Sequence, residues 1–226
     1  MRKLLALLLA LTMCISLFGC GAAKPAETTA PATVAETTAA TEDIVILYTN
    51  DVHTYIDGAL SYDVIAGLKE SLKSVYGNVL LVDAGDAVQG TAFGSMDKGA
   101  TIVQLMNAAG YDVATLGNHE FDYGMDGRIK VTDEWAKFPY VSCNFYNEKD
   151  GVQGTSVLDS YKVLEKGGQK IAFIGITTPE SFTKSTPAYF QNEKGEYIYG
   201  IAGGTDGAAL YAAVQNAIDA ASAEAD

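Results

Sequence analysis

Three short apolar runs, each breaking off into acidic, amide or imidazole side chains, constrain this chain more than any other feature. They are "IVILYTNDVH" from Ile44, "NVLLVDAGD" from Asn78 and "DVATLGNHE" from Asp112, and "KIAFIGIT" from Lys170 repeats the design. Rich in branched aliphatic residues and apolar on successive positions, such runs read as strands covered on both faces. Between the first two, Val64, Ile65, Leu68, Leu72 and Val75 share one face at helical spacing and stop near Gly77. Between the second and third, Ile102, Val103, Leu105, Met106 and Ala109 do the same before Gly110. Strand, helix, strand, helix, strand predicts right-handed crossovers and a mostly parallel sheet. "WAKFPYVSCNF" reads as a further strand, and Gly207 to Ala223 as a helix with Leu210, Val214 and Ile218 on its inner face. The expected fold class is α/β.

In open sheets of this kind, ligands gather beyond the carboxyl ends of the strands. There the sequence places Asn50-Asp51-Val52-His53, Asp83-Ala84-Gly85-Asp86 and Gly117-Asn118-His119-Glu120, which hold both histidines of the chain. Asp51 and His53, at i and i+2, can point the same way from a strand end and offer one oxygen and one nitrogen to a cation. Asp86 has two oxygens and could bridge two ions, and Asn118 adds a neutral oxygen. That mixture suits Mn, Fe or Zn more than calcium. Taken singly, an Asp or Asn after a strand is an ordinary turn or cap residue. Three such clusters at successive strand ends argue for a site.

Charge narrows the partners. The chain has 15 Lys+Arg against 28 Asp+Glu, and setting aside Arg2 and Lys3 leaves 13 against 28, net −15, with Arg128 the remaining arginine. Without a basic stripe, nucleic acid is excluded as a partner. An anionic ligand would need bound metal ions as its source of positive charge. Of three cysteines, Cys14 and Cys20 fall in or beside the leader, so no intrachain disulfide framework forms, and Cys143 reads as a small core residue.

Residues 1–19 read as a leader: Arg2 and Lys3 precede an uncharged apolar run, Leu4 to Phe18, shorter than the roughly 20 residues of a spanning helix. Leu17-Phe18-Gly19-Cys20 resembles the bacterial lipobox. The resemblance implies a lipoprotein signal peptide, lipidation of Cys20 and an exported chain held at the outer face of a bacterial membrane by that anchor alone. The alternative is an ordinary signal with a chance cysteine. Residues 20–42, rich in Ala, Thr, Pro and Glu, read as a flexible tether. The folded part is expected over 43–226.

"TNDVH", "DAGDAVQG" and "GNHEFDYG", in this order and at these spacings, resemble the first three motifs of the calcineurin-like metallophosphoesterases, in particular the secreted branch of 5′-nucleotidases and 2′,3′-cyclic-nucleotide phosphodiesterases. The likeness runs from about Ile44 to Thr178. It implies a layered sandwich of mostly parallel sheets flanked by helices, and two divalent metal ions. Position by position, Asp51 and His53 match ligands of the first metal, Asp86 the bridging carboxylate and Asn118 a ligand of the second. His119 matches the catalytic histidine, which is not a ligand, and Asp122 its carboxylate partner, while Glu120 is read as supporting the loop. The family pattern continues with three more histidines and a C-terminal nucleoside-binding domain. With His53 and His119 as its histidines, this chain is expected to be an N-terminal part of a longer enzyme, truncated in the metallophosphoesterase domain and inactive alone.

The implied activity is hydrolysis of extracellular nucleotides to nucleoside and phosphate. A UDP-sugar hydrolase and a thiosulfate-ester hydrolase are related alternatives. A surface lipoprotein that binds metal or ligand without turnover is an alternative of another class.

Overall fold

The computed structural model describes residues 43–226, so the expected signal peptide, the expected tether and the expected lipidation at Cys20 lie outside the described residues. Four strands form a parallel sheet in chain order: β1 (Ile44–Thr49), β2 (Asn78–Asp83), β3 (Val113–Thr115) and β4 (Tyr140–Val141). The first crossover is helix α1 (Tyr62–Tyr76); the second contains the short α2 (Ala92–Met96) and α3 (Ala100–Ala109). β1 and β2 are paired without offset, Ile44 opposite Asn78 through Thr49 opposite Asp83, so both strands end at one level. This register lets the loops carrying Asp51 and Asp86 leave the sheet side by side.

Packing follows the expected pattern in α3, where Ile102, Val103, Met106 and Ala109 are buried against Leu81 and Ala114 of the sheet. Each large aliphatic side chain so covered contributes roughly 1.5–3 kcal/mol. In α1 the inner face differs from the sequence reading. Tyr62 and Ile65 are buried, while Val64, Leu68 and Val75 are 44%, 42% and 66% exposed. The reason is Lys69, which lies on the inward side with its ammonium 2.8 Å from Asp112 Oδ2 and also donating to the Gly110 carbonyl. An inward lysine whose stem packs and whose head is paired is invisible to apolar spacing.

The second half departs from the parallel expectation. After α4 (Gly124–Ile129), which runs directly into a π-helical turn over Lys130–Trp135, the chain builds two antiparallel units. One is a three-stranded sheet of β5 (Phe145–Lys149), β6 (Val152–Ser156) and β9 (Tyr199–Ile201), ordered β6-β5-β9. The other pairs β7 (Tyr161–Lys166) with β8 (Gln169–Ile174), so "KIAFI" belongs to a hairpin and not to the parallel sheet. Its connection is Gly167-Gly168, both at positive φ, the two-residue loop whose twist matches antiparallel strands. α5 (Ser181–Lys184) follows, and α6 (Ala208–Ala221) packs on β7 and β8. Its buried residues are Ala217 and Ala221, while Leu210 and Val214 of the expected set are half-buried and Ile218 is 40% exposed: small side chains let the helix lie close. Cys143 is buried and free. Among the described residues no helix is long and apolar enough to cross a membrane.

Candidate functional site

Beyond Thr49 the β1 chain does not end its pairing with β2 but carries it into the loops. Asp51 N–H donates to the Gly85 carbonyl (3.1 Å), His53 N–H to Asp86 O (3.0 Å) and Thr54 N–H to Ala87 O (3.1 Å). Asp51, His53, Thr54 and Asp86 all take left-handed backbone, with φ of 54°, 48°, 59° and 61°. Non-glycine residues seldom hold that region, and clusters of them mark sites where surrounding bonds fix the chain. Asp51 and His53 do point together, with His53 Nε2 3.6 Å from Asp51 Oδ1. The cause is this left-handed loop and not the strand alternation expected.

The donor set assembles at this rim. Ligand atoms of His53, Asp86 and His119 lie within 4.8 Å of one another. The two imidazoles meet edge to face at 4.9 Å between centroids. His53 Nδ1 is 3.1 Å from the Gln89 carbonyl, which fixes the proton there and leaves Nε2, on the Asp51 side, as the free lone pair. Burial pushes the Asp86 carboxyl up; the neighbouring Asp51 carboxylate adds to this, while the His119 amide and ring pull it down. Among the described residues no lysine or arginine pairs with Asp51 or Asp86. Two adjoining carboxylates with an imidazole and no cationic side chain fit a divalent cation of borderline character. Asn118, at the start of the 3₁₀ turn His119–Phe121, is half-buried, and its side-chain amide makes no hydrogen bond among the described residues.

His119 is placed differently from His53. Its Nδ1 donates to Asp122 Oδ2 at 2.6 Å, an i, i+3 pair built within the turn, and its backbone N–H donates to Asp86 Oδ1 at 2.7 Å. The pair leaves Nε2 of a partly exposed ring open. Behind the rim sits Asp83, the first residue of the second strand-end cluster, which accepts from Thr49 Oγ1 (2.6 Å) and Gly85 N–H (3.0 Å). Burial, with Glu120 and Asp86 nearby, pushes its pKa up to about 8.

Two contributions were not found from sequence, the Gln89 carbonyl on His53 and the backbone amides of Asp86, Ala87 and Gly117 that donate to the Glu120 carboxylate. Both depend on how loops from different strands meet, and the acidic residue of "GNHE" was the one visible signal. The sequence-predicted residues Asp51, His53, Asp86, Asn118, His119 and Asp122 all occur on the adjoining loops after β1, β2 and β3.

A fold of this kind carrying such a rim defines a metal-dependent phosphoester hydrolase family. Residues 44–199 match the calcineurin-like phosphoesterase family, and the chain belongs to it. It is 35% identical over 159 residues to a snake venom 5′-nucleotidase of Gloydius brevicauda, covering 64% of this chain and 27% of that one. To a 5′-nucleotidase of Rattus norvegicus it is 34% identical over 165 residues, covering 66% and 29%. The chain thus spans under a third of the length of these relatives. The solved NAD nucleotidase of Haemophilus influenzae superposes with a TM-score of 0.61 at 25% identity, covering 78% of this chain and 32% of that structure.

Proposed function

We propose that the protein hydrolyses phosphate esters of extracellular nucleotides, in the manner of a 5′-nucleotidase, at a centre of two divalent ions. Asp51 and His53 would hold the first ion, Asn118 the second, and Asp86 both. The observation that carries the reading is the His119–Asp122 pair at 2.6 Å set against the Asp86 and His53 donors. The similarity to 5′-nucleotidases supports the nucleotide as substrate class. "LFGC" supports export and anchoring through Cys20.

When bound, the ions supply charge neutralisation and Lewis-acid polarisation of the phosphoryl oxygens. The chain's own residues do the rest. Asp51 and Asp86 draw the cations into an otherwise acidic domain, and the Gln89 carbonyl keeps His53 in the tautomer that presents Nε2. Asp122 accepts a hydrogen bond from His119 Nδ1 and orients the ring. Nε2 can then donate to the phosphoryl group or protonate the leaving ribose oxygen.

Titrating Mn(II) into the chain, followed by hydrolysis of nucleoside monophosphates in the full-length gene product, tests this. His119→Ala should lower turnover roughly 10²–10⁴-fold if His119 is a general acid, with metal content unchanged. One observation favours a second reading, His119 as a ligand: its ring nitrogen lies within 4.8 Å of the donors of both Asp86 and His53. In that case His119→Ala would release metal, and the proton-donor role would fall.

A further inference from the structure

Glu120 is the most deeply buried charged side chain at the rim, with 0% exposure, and among the described residues neither lysine nor arginine is paired with it. An uncompensated carboxylate in such a place costs several kcal/mol. Here three backbone N–H groups converge on it. Asp86 N–H (3.0 Å) and Gly117 N–H (2.7 Å) donate to Oε2, and Ala87 N–H (3.0 Å) donates to Oε1. The loops after β2 and β3 thus build a small anion site from main-chain amides, and the protein fills it with its own side chain. An apolar residue would leave three donors unsatisfied. A glutamine would turn its NH₂ toward at least one of them.

The donors lie on residues that matter to the site. Asp86 is the proposed bridging carboxylate, held at φ 61°, and Gly117 precedes Asn118. A return bond closes the ring: His119, next to Glu120 in the same turn, donates its N–H to Asp86 Oδ1 at 2.7 Å. Each loop therefore grips the other through an acidic side chain. The backbone of Asp86 is fixed by Glu120 and its carboxylate is rotationally fixed by His119.

We propose that Glu120 is a positioning residue: through the amides of Asp86, Ala87 and Gly117 it sets the orientation of the Asp86 carboxylate and the distance between the two ligand-bearing loops, without touching metal or substrate. The inference rests on the metal-binding reading above and deepens it.

The test is metal affinity and geometry in the purified chain, compared among the parent, Glu120→Gln, Glu120→Asp, Asp86→Asn and, as a destabilised control remote from the rim, Lys69→Met. Glu120→Gln should weaken Mn(II) binding by roughly 10–100-fold, the range for lost supporting partners of metal ligands. It should also shift the visible absorption bands of bound Co(II), which report coordination geometry. Glu120→Asp, which keeps the charge on a shorter stem, should fall between the two, and it decides the matter if Glu120→Gln does not fold. Unchanged Mn(II) affinity and Co(II) bands in whichever Glu120 variant folds would overturn the proposal. So would an equal loss in Lys69→Met at a matching fall in melting temperature, since that makes the effect general destabilisation. If the parent chain binds no Mn(II), or Asp86→Asn binds as well as the parent, the metal reading itself has failed, a result distinct from either.

Discussion

The hairpin turns and the rim both use left-handed backbone, and it serves different ends in each. In the hairpins it sits in Asp150-Gly151 and Gly167-Gly168, with φ of 54°, 75°, 59° and 78°. A two-residue turn demands that conformation, because it continues the twist of the flanking strands. At the rim, His53 and Thr54 adopt it as the central pair of a turn closed by Tyr55 N–H on the Val52 carbonyl (3.0 Å), while Asp51 and Asp86 adopt it outside any such turn. A side chain in that region costs on the order of 1–2 kcal/mol, and the rim offsets this with bonds between loops: the amides of Asp51, His53 and Thr54 on the Asp86 loop, and the amides of Asp86 and Ala87 on Glu120. The hairpin's geometry is local and self-sufficient. The rim's geometry is collective, so a small change in one loop should be felt by donors on another.

The sharpest way to break that contrast is to add one methyl group where the loops touch. A Cβ on Gly85 would stand 2.8 Å from Gly117 Cα, and Gly85 itself is at φ 104°. Gly85→Ala should therefore cost about 3 kcal/mol, combining overpacking with left-handed strain, read from urea unfolding of the metal-free chain. Mn(II) affinity should fall with it, because the displaced segment carries Asp86. A Cβ on Gly117 would stand 2.6 Å from Asp86 Cγ and 2.7 Å from Asp86 N, so Gly117→Ala should lose both affinity and stability. A loss under about 1 kcal/mol in Gly85→Ala, with affinity intact, would mean that the rim is no more constrained than a surface turn.

A smaller effect should appear across pH. Asp83 has its pKa raised to about 8 by burial, while an unfolded aspartate titrates near 4. Between those values the folded chain keeps a proton that the unfolded chain has released, so stability falls as pH rises. The contribution is complete below about pH 4 and is lost as pH passes through about 8. Asp83→Asn, whose amide can imitate the protonated carboxyl toward Thr49 Oγ1 and Gly85 N–H, should flatten the curve over that window relative to the parent chain. Parallel curves for the two would show that Asp83 is ionised throughout and that the rim tolerates its charge.

The same division governs what could be read from sequence. The strand-end clusters were legible because a parallel strand hands its next residues to the rim whatever else the fold does, and the matched ends of β1 and β2 bring Asp51 and Asp86 together. The Gly167-Gly168 and Asp150-Gly151 turns carry a local signal for antiparallel hairpins. "KIAFI" was nevertheless placed in the parallel sheet, because an unbroken apolar run does not say which neighbour it will pair with. The inner face of α1 was misread because Lys69 belongs to it through a partner, Asp112, supplied by another strand. The grip of Glu120 on three amides of two loops is of this collective kind, and no window of sequence contains it.

The smallest expected effect is the control on which the comparison depends. Gly151 is at φ 75°, and a Cβ placed there meets nothing within 4 Å. Gly151→Ala therefore incurs the left-handed penalty alone, about 1 kcal/mol, with Mn(II) affinity unchanged. Gly151→Asn should recover part of that loss, since asparagine tolerates the conformation better through its own short polar side chain. Measured beside Gly85→Ala, the pair separates the cost of handedness, common to both regions, from the cost of contact, confined to the rim. If Gly151→Ala costs as much as Gly85→Ala, the close approach of the rim loops contributes nothing beyond backbone strain. If Gly151→Ala is nearly silent while Gly85→Ala loses both stability and metal affinity, the excess measures how firmly the loops hold the donors in place.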